Sequence, residues 1–218
     1  MAGMIHAVPG AGRSIAFTFD DGPHPVYTPE LLDIFRQAGG KATFFMLGEP
    51  MTAHPDTVRA VLADGHEIGN HSYAHPNLTE IDPAEARRDV ERASELIERV
   101  SGRKPALLRP PYLAANDATD ELARSLGFPL IGATNLGTRD WEQPGVEHIL
   151  ALTRPFANEG AILLFHDGFG DRSQTIEAVR TLVRELSADG FELVTVSELL
   201  ARGALSQSHQ ASEKPNFL

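Results

Sequence analysis

Seven short apolar runs, at residues 15–19, 42–47, 67–69, 106–109, 129–133, 161–165 and 191–195, alternate with stretches in which apolar residues recur every three or four positions. Runs of that length suit buried strands, and the periodic stretches suit helices with one apolar face. Several helix ends are legible. Thr28 is placed to cap a helix begun by Pro29, with Leu31, Ile34, Phe35 and Ala38 on its apolar side and Gly39 beyond its last turn. Asp82, Pro83 and Glu85 repeat that grammar ahead of Ala86, Val90, Ala93 and Ile97, and Gly102 ends the helix. Further helices are predicted at 55–64, 119–126, 146–158 and 173–189, three of them followed by Gly65, Gly127 and Gly190.

Strand and helix therefore alternate. Such alternation implies right-handed crossovers and a mainly parallel α/β sheet, either closed as a barrel or open and doubly wound; periodicity does not separate the two. A chain of 218 residues suits one domain, 1–218, with its core over about 14–200. Residues 203–218 turn polar, lose the period and are expected to form a loosely held tail.

Composition narrows the partners. Nineteen Lys and Arg against 30 Asp and Glu give a net charge of −11, which argues against nucleic acid and for a neutral substrate. Without cysteine there is no disulfide framework and no thiolate ligand, so any metal must use nitrogen and oxygen. No apolar stretch approaches the roughly 20 residues of a membrane-spanning helix. The first eleven residues show no basic segment followed by a long apolar run, so a cytoplasmic location is expected, or an extracellular one if the native start lies upstream. A monomer is expected.

In both parallel architectures, reactive groups collect at the carboxyl ends of strands. Five segments obey that rule: Asp20–Asp21, Asn70 to His75, Arg109 to Tyr112, Asp140–Trp141 and His166–Asp167. Adjacent carboxylates at Asp20 and Asp21 repel, so one of them needs a cation, a proton or a donor beside it. His71 and His75, at i and i+4, point the same way if 72–74 form a helical turn. One carboxylate and two imidazoles make a hydrolytic metal set, which leaves the second carboxylate free as a base. Plainer readings exist: a capped turn at Asp20–Pro23, an edge charge at Arg109, simple packing at Trp141 and a satisfied core histidine at His166. His66 is the nearest rival ligand, but the strand at 67–69 carries it to the opposite end of the sheet.

The ordered motifs Thr18-Phe19-Asp20-Asp21-Gly22-Pro23, His71-Ser72-Tyr73-Ala74-His75, Arg109-Pro110-Pro111-Tyr112, Asp140-Trp141 and Leu164-Phe165-His166-Asp167 resemble those of the polysaccharide deacetylases of carbohydrate esterase family 4. The resemblance spans roughly residues 14–200 and implies a distorted (β/α) barrel of about seven parallel strands. It also implies a metal-dependent deacetylase acting on N-acetylglucosamine-containing oligo- or polysaccharides such as chitooligosaccharide or peptidoglycan, with O-deacetylation of acetylxylan or a non-catalytic carbohydrate-binding relative as alternatives. Under it, Asp21, His71 and His75 are ligands of a divalent metal, zinc or else cobalt, and Asp20 is the general base. Tyr112 gives a backbone oxyanion donor, His166 protonates the leaving amine, Arg109 orients Asp20 and Asp140 orients His166. Trp141 and Leu164 line the acetyl pocket. Two positions depart from the pattern. Leu113 stands where many members have Gly, which predicts a different path for the Tyr112 loop, and Gly137 stands where many have Asp.

Overall fold

Strand β1 (Ser14–Asp20) is buried along its whole length, and its side chains divide by the two-residue period of a strand. Ile15, Phe17 and Phe19 enter the main apolar cluster, shared with Leu31, Phe35, Val179 and Leu182 of the flanking helices. Ala16, Thr18 and Asp20 face the other way. Parallel neighbours β2 (Thr43–Met46) and β4 (Ile162–His166) flank β1, and β3 (Glu67–Asn70) lies beyond β2. A short strand β5 (Glu192–Leu193) pairs in parallel with Ser14 and Ile15 at the start of β1. The computed structural model describes residues 3–212.

Two of the predicted strands shrink to isolated bridges. Leu108 pairs with Asn70 and with Leu130, and Ile131 pairs with Ile5. Prolines at 105, 110 and 129 bound these segments and cannot donate to a ladder, which keeps both short. A segment ahead of the expected core closes the circuit. Ile5 N donates to Leu130 O at 2.8 Å, Val8 N to Gly160 O at 2.8 Å, and Thr134 N to Ile162 O at 2.9 Å. The sheet is thus a distorted (β/α) barrel whose ring begins before Ser14.

Among the described residues eight helices cover it: α1 (Tyr27–Ala38), α2 (Gly48–Ala53), α3 (Pro55–Ala63), α4 (Pro83–Ser101), α5 (Asp117–Leu126), α6 (Val146–Thr153), α7 (Ser173–Ala188) and α8 (Val196–Ser212). The Asp82 carboxylate caps α4 by accepting from Ala84 N and Glu85 N, and Gly39 and Gly102 take the left-handed angle after α1 and α4, as their sequence signals predict. Other ends differ. Thr28 lies inside the first turn of α1, where its hydroxyl donates to the Asp167 carboxylate instead of capping. Helix α5 starts at Asp117, ahead of the expected 119, with Asn116 as its cap and Thr119 completing the capping box. Helix α6 stops at Thr153 and passes into a 3-10 turn containing Pro155. Helix α8 continues through residue 212 where a loose tail was expected, its buried Val196 and Leu199 joining Val8 in a second apolar cluster; 213–218 lie outside the described residues. Among the described residues, no helix is long and apolar enough to cross a membrane.

Candidate active site

Register brings the first two groups together. Asp20 is the last residue of β1, and its parallel partners are Phe45 on β2 and His166, the last residue of β4. Residues 25 and 146 positions away from Asp20 in sequence thus share one edge with it.

Arg109 is the largest fully buried side chain and fills the barrel interior over the Phe45 ring, 4.2 Å from its centroid. Its Nη1 donates to Asp20 Oδ1 and Thr18 Oγ1, both at 2.7 Å, its Nη2 to Gly132 O at 2.9 Å and its Nε to Ile131 O at 3.2 Å. The two carbonyls are those that the broken strand at 129–133 leaves without ladder partners. Burial lowers the guanidinium pKa, and Asp20 opposes that pull. Asp20 is thus braced through Oδ1 by the buried guanidinium, with Oδ2 turned toward His71 Nε2 at 3.7 Å.

Asp21, His71 and His75 converge beside it. Asp21 Oδ1 lies 3.4 Å from His71 Nε2 and 3.3 Å from His75 Nε2, and three ligand atoms of the set fall within 4.8 Å of one another. The imidazoles do not meet through a helical turn. Ser72 and His75 instead adopt φ of 76° and 59°, and the loop is tied to α4 by the Asp89 carboxylate, which accepts from Tyr73 N at 2.6 Å and Ala74 N at 3.3 Å. Asn70 Oδ1 accepts from Ser72 N at 2.7 Å, while its Nδ2 donates to Val90 O and Ser94 Oγ. His71 Nδ1 donates to the Arg109 carbonyl at 2.8 Å, which turns Nε2 toward the carboxylates.

The donor set fits a divalent cation. Asp21 Oδ1 is buried and hydrogen-bonded to no group, which is costly for a carboxylate oxygen and is relieved by a metal ion. Burial pushes Asp21 upward, yet His71, His166 and His75 hold it below the usual carboxylate range. Burial likewise depresses His71, but Asp20 and Asp21 outweigh it and raise the pKa. Positive charge is what this cluster demands, and two imidazoles with one carboxylate match zinc and its neighbours. His66 is no part of it: at the far end of β3 it accepts from Ala42 N and stacks edge-on against Phe35 and Phe44.

His166 faces the cluster from β4. Its Nδ1 donates to Asp140 Oδ1 at 2.9 Å, and Asp140 Oδ2 accepts from His166 N at 2.9 Å and Thr175 Oγ1 at 3.0 Å. Burial favours the neutral ring, but the Asp140 carboxylate prevails, with Asp20 and Asp21 adding less, and the pKa rises to about 9. Trp141 stands edge-on to His166, 4.9 Å between centroids, and is 41% exposed. It lines a cavity of about 400 Å³ together with Leu164, Tyr112, both carboxylates and all three imidazoles. Leu113 keeps φ of 52°, so the loop after Tyr112 (φ 60°) occupies the left-handed region that glycine prefers although no glycine is there. Five of the eight non-glycine residues with positive φ among the described residues, Asp21, His75, Tyr112, Leu113 and Phe169, line this cavity, a concentration of backbone strain that marks a functional site.

The family model for polysaccharide deacetylases matches residues 7–131. A peptidoglycan-N-acetylglucosamine deacetylase of Bacillus cereus is 41% identical over 194 residues, covering 88% of this chain and 91% of that protein. The chain belongs to the polysaccharide deacetylase family. A chitooligosaccharide deacetylase of a Bradyrhizobium species is 35% identical over 200 residues, covering 86% of this chain and 90% of that protein. The solved structure of the peptidoglycan deacetylase PdaC from Bacillus subtilis superposes with a TM-score of 0.83 at 32% identity, covering 92% of this chain and 96% of that one.

For this family member, motif reading assembled the residues at the cavity together with Arg109 and Asp140, which orient Asp20 and His166, but missed other groups that hold them. Asn70, Asp89 and Thr175 fix the ligand loop and Asp140 from helices or strand ends that carry no motif of their own. Asp167, fully buried, accepts from Thr28 and packs against Gly22; burial, with Asp21 and Asp20 adding, raises its pKa to about 7. Its position directly after His166 was the only available signal.

Proposed function

We propose that this chain is a metal-dependent hydrolase that removes the N-acetyl group of N-acetylglucosamine-containing oligo- or polysaccharides, peptidoglycan or chitooligosaccharide, and releases acetate. The observation that carries this reading is the convergence, in one cavity, of an Asp21–His71–His75 ligand set, Asp20 paired with Arg109 and His166 paired with Asp140. Asp21, His71 and His75 would hold a divalent cation, which would polarise the acetyl carbonyl and lower the pKa of water. Asp20, kept ionised and oriented by Arg109, accepts the proton of the attacking water. The backbone N–H of Tyr112, whose ring lies beside His75, donates to the oxyanion that develops on the acetyl group. His166, charged because Asp140 faces its Nδ1, delivers a proton to the departing amine nitrogen. Trp141 and Leu164 wall the space for the methyl group.

Acetate release from chitooligomers, peptidoglycan fragments and acetylxylan, measured with and without chelator, tests this. N-acetylated glycans should react, chelation should stop the reaction, and zinc or cobalt should restore it. Asp20→Asn should abolish turnover while metal content is retained; turnover that survives the substitution would put the base elsewhere.

A further inference from the structure

The turn after β4 holds a phenylalanine that neither packing nor backbone preference explains. Gly168 lies so close to the Asp21 carbonyl that any side chain would collide with it, and the N–H groups of Asp167 and Gly168 both donate to the Asp20 carbonyl. The following residue, Phe169, is thereby fixed beside the ligand set. Its backbone takes φ of 53°, unfavourable for every residue except glycine, and its ring is 55% exposed and belongs to none of the apolar clusters. A single exposed ring is ordinary, but one that shares the mouth of a site with other exposed rings forms a patch suited to a ligand.

The surroundings specify the ligand. Phe169 stands 6.2 Å from the His75 ring and Tyr112 stands 4.5 Å from the same imidazole, whereas Trp141 stands against His166 on the other side. Of the seven large apolar side chains exposed among the described residues, three, Tyr112, Trp141 and Phe169, line this one cavity. A pyranose lays its C–H face on an aromatic ring and keeps its hydroxyls in water, so rings on both flanks of the reacting groups suit more than one sugar. We propose that Phe169, with Tyr112, is the platform of a second sugar site on the His75 side, and that the substrate spans at least two linked rings. The proposal rests on the deacetylase reading above and deepens it.

Calorimetric binding of chitotetraose and of free N-acetylglucosamine to zinc-loaded Asp20→Asn protein tests it without turnover. Adding Phe169→Ala should weaken the tetramer about tenfold, about 1.4 kcal/mol, and the monosaccharide much less. Phe169→Gly, which suits the left-handed backbone, should lose as much as Phe169→Ala, while Phe169→Trp should restore binding. Unchanged tetramer affinity in Phe169→Ala, or an equal loss for monosaccharide and tetramer at unchanged zinc content, would overturn the second site. Failure of the deacetylase reading looks different: the parent protein would then release acetate from no glycan at all.

Discussion

Asp140→Asn isolates the origin of the charge on His166. Asp140 is fully buried, bonds the ring at 2.9 Å, and ranks above Asp20 and Asp21 among the groups that hold the proton. Asp140 is thus the principal cause of the raised value. A rise from 6.5 to about 9 corresponds to about 3 kcal/mol in favour of the charged ring, at about 1.4 kcal/mol per pH unit. Without the carboxylate, burial remains and places the pKa at or below about 6.5. At pH 8, roughly nine-tenths of the parent's His166 is then protonated, against roughly one-thirtieth in the variant. Acetate release at low substrate across a pH series should show an alkaline limb near 9 for the parent and at or below about 6.5 for Asp140→Asn. Side-chain NMR of His166 should titrate in step. The same substitution has a stability signature. A group whose pKa is raised on folding stabilises fully below its unfolded value and loses that contribution as pH rises through the folded value. Asp140→Asn should therefore cost more stability at pH 6 than at pH 10. An alkaline limb that stays near 9 in the variant refutes the assignment of His166 as the acid governed by Asp140.

Arg109→Met leaves the Asp20 carboxylate buried and unpaired, so urea denaturation should report a loss of about 3–5 kcal/mol, partly recovered when Asp20→Asn is added; a loss below about 1 kcal/mol would contradict the bracing role. Leu113→Gly should be no less stable than the parent, because relief of about 1–2 kcal/mol of left-handed strain offsets the entropy of glycine, whereas the β-branched Leu113→Ile should lower the melting temperature. Asp167, raised from 3.8 to about 7, contributes stability below its unfolded value that disappears as pH rises through 7, so Asp167→Asn should gain on the parent at pH 8 relative to pH 4 by at least about 1 kcal/mol. Zinc at a hundred times its Kd should stabilise the parent by about 2.7 kcal/mol and His75→Ala by almost nothing at that concentration; an equal thermal shift in both would remove His75 from the ligand set.

Much of the site was legible in sequence because its reactive residues lie immediately after apolar strand runs. The Asp20–Asp21 pair follows β1, and His166 ends β4, so recognising the strands located the chemistry. Helix signals of the Asp82–Gly102 kind were equally reliable, since a cap and a left-handed glycine act within a turn of the residues they join. The segments at 106–109 and 129–133 were harder: their apolar runs resemble strands, yet flanking prolines remove donors, and only the paired chain shows that isolated bridges are all that survive. The closing segment around Ile5 and Val8 was invisible because so short a stretch has no period to detect.

What the sequence determined by itself was the set of reactive groups and the order in which they meet the sheet edge, because both follow from local pattern. What only the tertiary structure decided was which of these groups touch. Arg109 reaches Asp20 across 89 residues because parallel register closes a barrel around it, and Ile131 and Gly132 offer it their carbonyls because their own strand is broken. His71 and His75 converge through left-handed turns that Asn70 and Asp89 hold, not through the helical spacing their sequence suggests. Distances of that kind depend on register, burial and backbone strain, which sum over the whole fold and leave little trace in neighbouring residues.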